Sequence, residues 1–309
     1  MSTKTSYDEI VAVNEIGKPT NSRNLNELLA KAGEEKFNPS VKDAEQVLLL
    51  AIDMQNDFME NGSLPVPGSH GDVERATKFI YNNMDKISRI AVSLDTHQPF
   101  QIFHPCWFMN KVGNNPPPYT MISVKDLDDG LWYPVIKPKE TREYIEGLSS
   151  TPGKKVLMVW TYHCIQGTFG GALENQFSNM VYFHSVAKKS IVERLVKGTD
   201  PMSEMYGIIK PEYDPKNFIN IDFLNKVEKY DKVIILGEAA SHCVLESVKQ
   251  ILEHFSNRPE ITSKIFILED CMSSVISPGI DFEAIANQAF AEFKKKYHIN
   301  IVKSIDNIL

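Results

Sequence analysis

Cysteine is scarce in this chain of 309 residues, and its four copies lie far apart. They are Cys106, Cys164, Cys243 and Cys271, and no Cys-x-x-Cys pair occurs among them. Isolated thiols of this kind form neither a zinc ribbon nor the disulfide framework of a small secreted domain. We therefore expect free thiols in a reducing compartment, and we predict a cytoplasmic location.

Long apolar runs and excess positive charge are also missing. No stretch approaches the roughly 20 apolar residues that a transmembrane helix needs, and the polar residues 1–17 contain no signal-peptide core. The formal net charge is −7, which favours neither a nucleic-acid partner nor an anionic membrane surface. We expect a globular protein with neither of these partners.

Short apolar runs alternate with helical patterns along most of the chain. We predict strands at 47–52, 89–94, 155–160, 181–186, 232–237 and 264–269. We predict helices at 72–88, 170–180, 219–231, 242–256 and 281–297. Continuous apolar strands are typical of a sheet that is buried on both faces. The pattern therefore predicts an α/β fold, a three-layer, Rossmann-like α/β/α sandwich around a mainly parallel sheet.

Two segments depart from this alternation. Residues 1–44 are polar and contain one amphipathic pattern at 22–32, so we interpret them as an extension that packs on a main domain at 45–309. Residues 105–153 are too long for a simple loop and indicate an insertion in that domain. We expect the insertion to cap a pocket or to form a subunit contact.

Ionisable side chains follow several of the predicted strands. Ligands of open α/β sheets bind at the carboxyl ends of the strands, and Asp53, Lys197 and Cys243 all fall at such ends. A cysteine nucleophile needs a base for its proton and a cation for its thiolate, and the helix N-terminus at Cys243 is expected to lower its pKa. The structural alternatives are a helix cap at Asp53, a surface charge at Lys197 and a small core residue at Cys243.

A second set of residues predicts a metal site. Asp95 and His97 form an Asp-x-His pair after one strand, His104 follows shortly, and His163 ends another predicted strand. Alternate residues of an extended segment point to the same side, and mixed imidazole and carboxylate ligands suit zinc, iron or manganese. A hydrogen-bonded turn explains the Asp-x-His pair alone, but the addition of His163 favours a divalent metal, with zinc as our first expectation.

Five motifs together resemble the nicotinamidase branch of the isochorismatase-like cysteine hydrolase superfamily. They span about residues 47–275 in family order, and each contains one of the residues above or its neighbours. The motifs are 52-IDMQNDFMENGSLPVPGS-69, 95-DTHQPFQIFHPCWF-108, 160-WTYHCIQGTFGGAL-173, 196-VKGTDP-201 and 236-LGEAASHCVLES-247.

The resemblance implies a role for each matched residue. Asp53 is the general base, Lys197 its cationic partner and Cys243 the nucleophile. The metal ligands are Asp95, His97 and His163, with His104 as a further candidate. The rings of Phe58 and Trp160 hold the substrate ring, the Glu238–Ala239 peptide is cis, and the N–H groups of Ala239 and Cys243 form the oxyanion hole. The resemblance further implies nicotinamide hydrolysis through a thioester, a small-molecule amide substrate and a homo-oligomer.

Some residues depart from the family pattern and keep other functions open. Ser241 stands where family members often have aspartate, and Glu238 places a charge beside the predicted cis bond. Together with the extension and the insertion, these departures bear on substrate identity more than on reaction type. The alternatives are hydrolysis of another small amide, carbamoyl compound or cyclic imide, and a non-catalytic metal-binding relative. An enol-ether hydrolase is disfavoured because that branch lacks the nucleophilic cysteine.

Overall fold

The central sheet of this protein is parallel throughout. A computed structural model describes residues 3–151, 154–277 and 279–309. Within these ranges, six strands form one sheet in the order β10-β9-β8-β1-β2-β7, with parallel neighbours. Its strands are β1 (Val47–Ile52), β2 (Arg89–Asp95), β7 (Glu193–Lys197), β8 (Lys232–Gly237), β9 (Ile265–Leu268) and β10 (Asn300–Val302). The predicted α/β/α sandwich is confirmed.

Helices cover both faces of the sheet, because the strands between them are apolar on both sides. In β1 every residue is buried, with Leu49 and Ala51 in one core and Leu48 and Leu50 in the other. The described helices are α1 (Tyr7–Ile10), α2 (Leu25–Gly33), α3 (Ser69–Asn82), α4 (Val124–Asp128), α5 (Pro138–Ser150), α6 (Asn175–Ala187), α7 (Ile221–Val227), α8 (Leu245–His254), α9 (Pro259–Thr262) and α10 (Phe282–Tyr297).

The strand predicted at 181–186 is wrong, since these residues lie in α6. This helix contacts α2 of the extension and also α3. Because it is covered on more than one side, it lacks the polar face by which a surface helix is recognised. The strand at this point of the sheet is β7 instead, an edge strand in which partly buried and exposed residues alternate.

The strand predicted at 155–160 is also largely wrong. Only Leu157–Met158 (β6) is a strand, and it pairs antiparallel with β4 (Met121–Ile122) outside the main sheet. Of the next two residues, Val159 donates its N–H to Thr120 O in the insertion, and Trp160 donates its N–H to Phe103 O just before the insertion. The backbone of this segment therefore finds its partners in residues that the sequence pattern assigned to a loop.

The insertion forms a small structure of its own beside the sheet. A second antiparallel pair joins β3 (Phe108–Met109) to β5 (Tyr133–Pro134), with α4 before β5 and α5 after it. Its apolar side chains share a buried cluster with Phe58 and Trp160. Residues 152–153 of the predicted insertion lie outside the described residues.

The extension packs on α6. Ala12 N–H donates to Gln176 Oε1 at 2.8 Å, and Gly17 N–H donates to Glu174 Oε1 at 3.0 Å. The helix predicted at 22–32 is α2, which buries Leu28. Residues 1–2 lie outside the described residues, and the division into extension, domain and insertion stays a prediction. In the described ranges, no helix is both long and apolar enough to cross a bilayer.

The end of β8 tolerates only glycine, which gives a stability prediction. Gly237 has φ of +129°, and a Cβ there would lie 2.0 Å from the carbonyl oxygen of Ile52 on β1. We expect Gly237→Ala to lower the free energy of unfolding by at least about 2 kcal/mol. Urea denaturation at constant m-value measures the change.

Gly33 provides the matched control, because nothing lies within 4 Å of a Cβ built at that helical position. We expect Gly33→Ala to stabilise the protein by up to about 1 kcal/mol through helix propensity. Equal midpoints for Gly237→Ala and the wild type would contradict the close approach of the two backbones.

Candidate active site

The structure brings Asp53, Lys197 and Cys243 together at the carboxyl edge of the sheet. Asp53 follows β1, Lys197 ends β7, and Cys243 lies in the π-helical turn Ala240–Val244 that leads into α8. Lys197 Nζ lies 2.9 Å from Asp53 Oδ2 and 3.6 Å from Cys243 Sγ. It also lies 3.0 Å from Asp95 Oδ1. One ammonium group therefore contacts both carboxylates and the thiol.

Asp53 is fully buried and held in one orientation. Its backbone N–H donates to Ser93 Oγ at 3.0 Å, and the Ser93 hydroxyl donates in turn to Asp53 Oδ1. Burial raises the pKa of Asp53, and the Asp95 carboxylate adds to this, although Lys197 opposes both effects. The carboxylate is therefore a stronger base than an ordinary surface aspartate, as proton abstraction requires.

The thiol of Cys243 does not have the lowered pKa that its helix position predicts. Burial raises its pKa well above the ordinary value, and this outweighs the opposite effect of Lys197. The expectation that the helix position lowers the pKa of Cys243 is therefore wrong, and the thiol needs a base to become a thiolate. Asp53 is the candidate acceptor for its proton, because one ammonium group, Lys197 Nζ, contacts both Asp53 and the thiol.

Lys197 remains charged in spite of its burial. Burial lowers its pKa, but the carboxylates of Asp53 and Asp95 raise it well above the ordinary value. Its ammonium group also donates to Met205 O at 3.1 Å. Among these three ionisable groups, two carboxylates face one ammonium, which leaves an excess of negative charge for a further cation.

Asp95, His97 and His163 form a buried cluster with metal-ligand geometry. The candidate ligand atoms of all three residues lie within 4.8 Å of one another. Asp95 Oδ2 is 2.8 Å from His97 Nε2 and 3.6 Å from His163 Nε2. The predicted ligands thus converge on one point beside Lys197.

The hydrogen bonds of the two imidazoles fit a metal ion. His97 Nδ1 lies 3.0 Å from Gly198 O, and His163 Nδ1 lies 2.8 Å from Thr161 O. A carbonyl accepts only from a protonated nitrogen, so each neutral ring has its Nε2 lone pair free towards Asp95. Burial lowers the pKa of His97, but Asp95 raises it more. A proton therefore competes with a metal ion at this position.

His104 lies beside this cluster but outside it. Its ring centroid is 6.0 Å from those of His97 and His163. Its Nδ1 faces Pro99 O at 3.1 Å, and its buried Nε2 has no hydrogen-bond partner among the described residues. Burial lowers its pKa to about 3, and His163 and His97 add to the effect. The ring is neutral with a free nitrogen, and its role as a further ligand stays a prediction.

Phe58 and Trp160 line the same narrow cavity as Cys243. The rings of Phe58 and His163 are 5.8 Å apart between centroids, and Trp160 Nε1 donates to Tyr206 Oη at 3.0 Å. Sequence reasoning missed five other lining residues, which are Leu64, Glu204, Tyr206, His242 and Val275. His242 could have been predicted from its position next to Cys243. Glu204 and Tyr206 could not, because they belong to an irregular loop without a periodic pattern.

Ala239 also lines this cavity, opposite the metal cluster. The Glu238–Ala239 peptide is cis, as the resemblance implied. Ala239 and Cys243 thus border the same space. Their role as the oxyanion hole stays a prediction.

The known proteins to which this chain is similar in sequence and in fold include nicotinamidases. Over 200 residues the chain is 28% identical to the nicotinamidase of Saccharomyces cerevisiae, covering 63% of this chain and 76% of that one. The chain is thus similar in sequence to a known nicotinamidase. The predicted resemblance is thereby confirmed, while no protein-family model matches the chain.

Solved nicotinamidase structures share the fold. The yeast nicotinamidase bound to the inhibitor nicotinaldehyde superposes with a TM-score of 0.57 at 20% identity, over 84% of this chain and 100% of that chain. A nicotinamidase–pyrazinamidase from Acinetobacter baumanii gives a TM-score of 0.57 at 16% identity, over 85% of this chain and 98% of that chain. At these identities the match concerns the fold alone.

The metal cluster predicts stoichiometric ion binding. We expect about one divalent ion per chain, and we expect His163→Ala to weaken the affinity at least about 100-fold because a ligand is lost. Elemental analysis after dialysis against buffered free zinc measures this without an activity assay. His254→Ala, at an exposed histidine of α8, is the control. Equal zinc contents in His163→Ala and the control would contradict the site.

The same measurement decides the role of His104. We expect His104→Ala to weaken zinc binding by about 10-fold, as an outer ligand or a supporting group would. An unchanged affinity would remove His104 from the site.

Proposed function

We propose that this protein is a metal-assisted cysteine amidohydrolase whose substrate is nicotinamide, converted to nicotinate and ammonia through a thioester on Cys243. The observation that carries the proposal is the position of Lys197, which contacts Asp53, Asp95 and Cys243 at one point. The sequence similarity to yeast nicotinamidase supports the choice of substrate.

The substrate ring lies between Phe58 and Trp160. Flat apolar rings favour such a slot, in which stacked and edge contacts are both available. A divalent ion held by Asp95, His97 and His163, zinc in the first place and iron or manganese as alternatives, would bind and orient the pyridine nitrogen. The carboxamide then faces Cys243.

The first half of the reaction forms the thioester. Asp53 takes the thiol proton, Lys197 stabilises the thiolate, and Cys243 Sγ attacks the carboxamide carbon. The N–H groups of Ala239 and Cys243 hold the negative oxygen, and such a donor contributes about 10²–10³ in rate. The carbon–nitrogen bond then breaks, and ammonia leaves with the proton from Asp53.

The second half releases the acid. A water molecule gives its proton to Asp53 and attacks the thioester carbon, while the same N–H groups hold the oxygen. The carbon–sulfur bond breaks and nicotinate leaves. Asp53 then returns the proton that it took from water to the thiolate of Cys243. Lys197 remains charged throughout and compensates the negative charge that moves between Asp53, Cys243 and the substrate.

The polar wall of the cavity favours a second candidate, a cysteine hydrolase for another small amide or carbamoyl compound. Glu204 Oε2 is buried there without a hydrogen-bond partner among the described residues. Burial raises the pKa of Glu204 to about 8, so the carboxyl is mostly neutral at pH 7 and able to donate a hydrogen bond. A substrate with an additional acceptor would use this group.

The insertion supports the cavity from outside, and we assign it a part in substrate choice. Glu204 N–H donates to Tyr144 Oη of α5 at 2.8 Å. The ring of Tyr119, also in the insertion, lies 5.9 Å from that of Trp160. A cytoplasmic location and a homo-oligomeric assembly stay predictions.

Ammonia release from nicotinamide tests the reaction. We expect Cys243→Ala to lower kcat at least about 10³-fold because no thioester can form, and we expect a chelator to lower the wild-type rate. Cys106→Ala is the matched control, since its half-buried thiol lies outside the cavity. Full activity in Cys243→Ala would contradict the mechanism, whereas turnover of other amides alone would favour the second candidate.

The pH dependence tests Asp53 as the base. The carboxylate must be ionised to accept a proton, and its pKa lies above the ordinary value of 3.8. We therefore expect kcat/KM to fall as the pH falls towards that raised pKa, with the acid limb above pH 3.8. Asp53→Asn should lose at least about 10³-fold at every pH. Retention of a wild-type acid limb by Asp53→Asn would assign the limb to another group.

A further inference from the structure

A buried pair of carboxyl groups lies behind the turn that carries Cys243. Glu238 directly follows β8 and is 0% exposed, and Asp72 on α3 is 1% exposed. The two side chains contact each other. The nucleophile cluster does not include either residue, and the proposed reaction does not use them.

Both carboxyl groups bind one residue, Ser273. Its N–H donates to Glu238 Oε2 at 3.3 Å, and its hydroxyl donates to Asp72 Oδ2. Its carbonyl accepts the N–H of Ala240 at 2.7 Å. Ala239 is therefore held on both sides, by the side chain of Glu238 before it and by the N–H of Ala240 after it, and both connections end at Ser273.

The other oxygen of Glu238 indicates where a proton lies. Glu238 Oε1 is buried, and no donor reaches it among the described residues. If Oε1 carries a proton, it becomes the donor and Asp72 the acceptor, which satisfies both groups. Burial first, and then the Asp72 carboxylate, raise the pKa of Glu238 well above its ordinary value.

The charges around the pair are consistent with a single shared proton. Arg75 Nη2 lies 2.7 Å from Asp72 Oδ1 and supplies one positive charge. Asp270 and the Cys271 thiol also raise the pKa of Arg75, whose Nε donates to Asp270 O. One carboxylate at Asp72 is thus balanced by Arg75, while a second negative charge at Glu238 would be buried without a counterion.

We propose that Glu238 is a positioning residue of the proposed hydrolase, which stays neutral, donates to Asp72 and fixes Ala239 so that its N–H points at the substrate oxygen. This rests on the proposed function, because it assigns Ala239 to the oxyanion hole. An aliphatic residue would fill the same volume but would leave the Ser273 N–H and the Asp72 carboxylate without their partner.

Steady-state kinetics with two variants of similar size test the positioning. Glu238→Gln can donate to Asp72 and accept from Ser273, so we expect kcat within about 3-fold of the wild type. Glu238→Leu can do neither, so we expect kcat to fall at least about 10-fold, part of what one oxyanion donor contributes. KM should change less than about 3-fold in both. Equal activity of Glu238→Leu and wild type, or equal losses in both variants, would overturn the proposal.

The pH dependence of thermal stability tests the shared proton without any turnover. Unfolded Glu238 ionises near its ordinary pKa of 4.5. Because the pKa of Glu238 is higher in the folded state, the group contributes stability that is complete below about pH 4.5. This contribution is lost as the pH rises through the folded-state pKa of Glu238. Glu238→Gln cannot ionise, so its Tm relative to the wild type should increase steadily from pH 5 to pH 8.

Asp72→Asn is the second variant, because it removes the charge that faces Glu238. In the Asp72→Asn background, we expect the change in Tm caused by Glu238→Gln to depend less on pH than it does in the wild-type background. A Tm difference between Glu238→Gln and wild type that is independent of pH would overturn the shared proton. This result is distinct from a failure of the proposed function, which only the amide assay detects.

Discussion

The candidate site depends on one buried ammonium group. Lys197 contacts Asp53, Asp95 and Cys243 at the carboxyl edge of the sheet. Removing a lysine from water costs several kcal/mol, and the two carboxylates offset this cost only while both stay close to Nζ. The charged states of these groups therefore depend on each other. Asp53 would be an unfavourable buried charge without Lys197, and Lys197 would lose its charge without the carboxylates. Lys197 also lowers the pKa of Asp53 against the effect of burial, and it lies 3.6 Å from the thiol of Cys243.

The parallel topology explains how residues so distant in sequence meet. Asp53, Asp95 and Lys197 end or follow three strands whose carboxyl ends share one edge, and Cys243 lies in the π-helical turn after a fourth. The side chains are fixed by backbone groups of neighbouring segments, such as Gly198 O at His97 and Thr161 O at His163. The candidate catalytic residues are thus placed at the ends of regular elements, and the predicted insertion contributes contacts behind the cavity wall.

The local sequence pattern was sufficient to predict the structure where the surroundings of a residue follow from its own segment. β1 and β8 are continuous apolar runs whose predicted bounds match the structure, and Asp53 and Asp95 directly follow or end strands of the main sheet. The pattern failed for α6, whose polar face is replaced by contacts with the extension, and for β7, whose exposed edge breaks the apolar run. It also failed for the Cys243 pKa, because burial outweighs Lys197 only once the whole fold surrounds the thiol. Glu204 and Tyr206 reach the cavity through tertiary packing alone.

The extension has a consequence for how this protein can be shortened. Residues Ile10, Val11, Ile16 and Leu28 belong to the same buried cluster as Phe177, Met180 and Val181 of α6. A chain that begins at residue 45 would retain every candidate catalytic and metal-binding residue, yet it would expose this apolar stripe to water. Large exposed apolar patches promote association. A fragment that stays soluble must therefore include the extension as well as the candidate catalytic and metal-binding residues. A fragment whose boundaries are drawn from the motifs alone would aggregate.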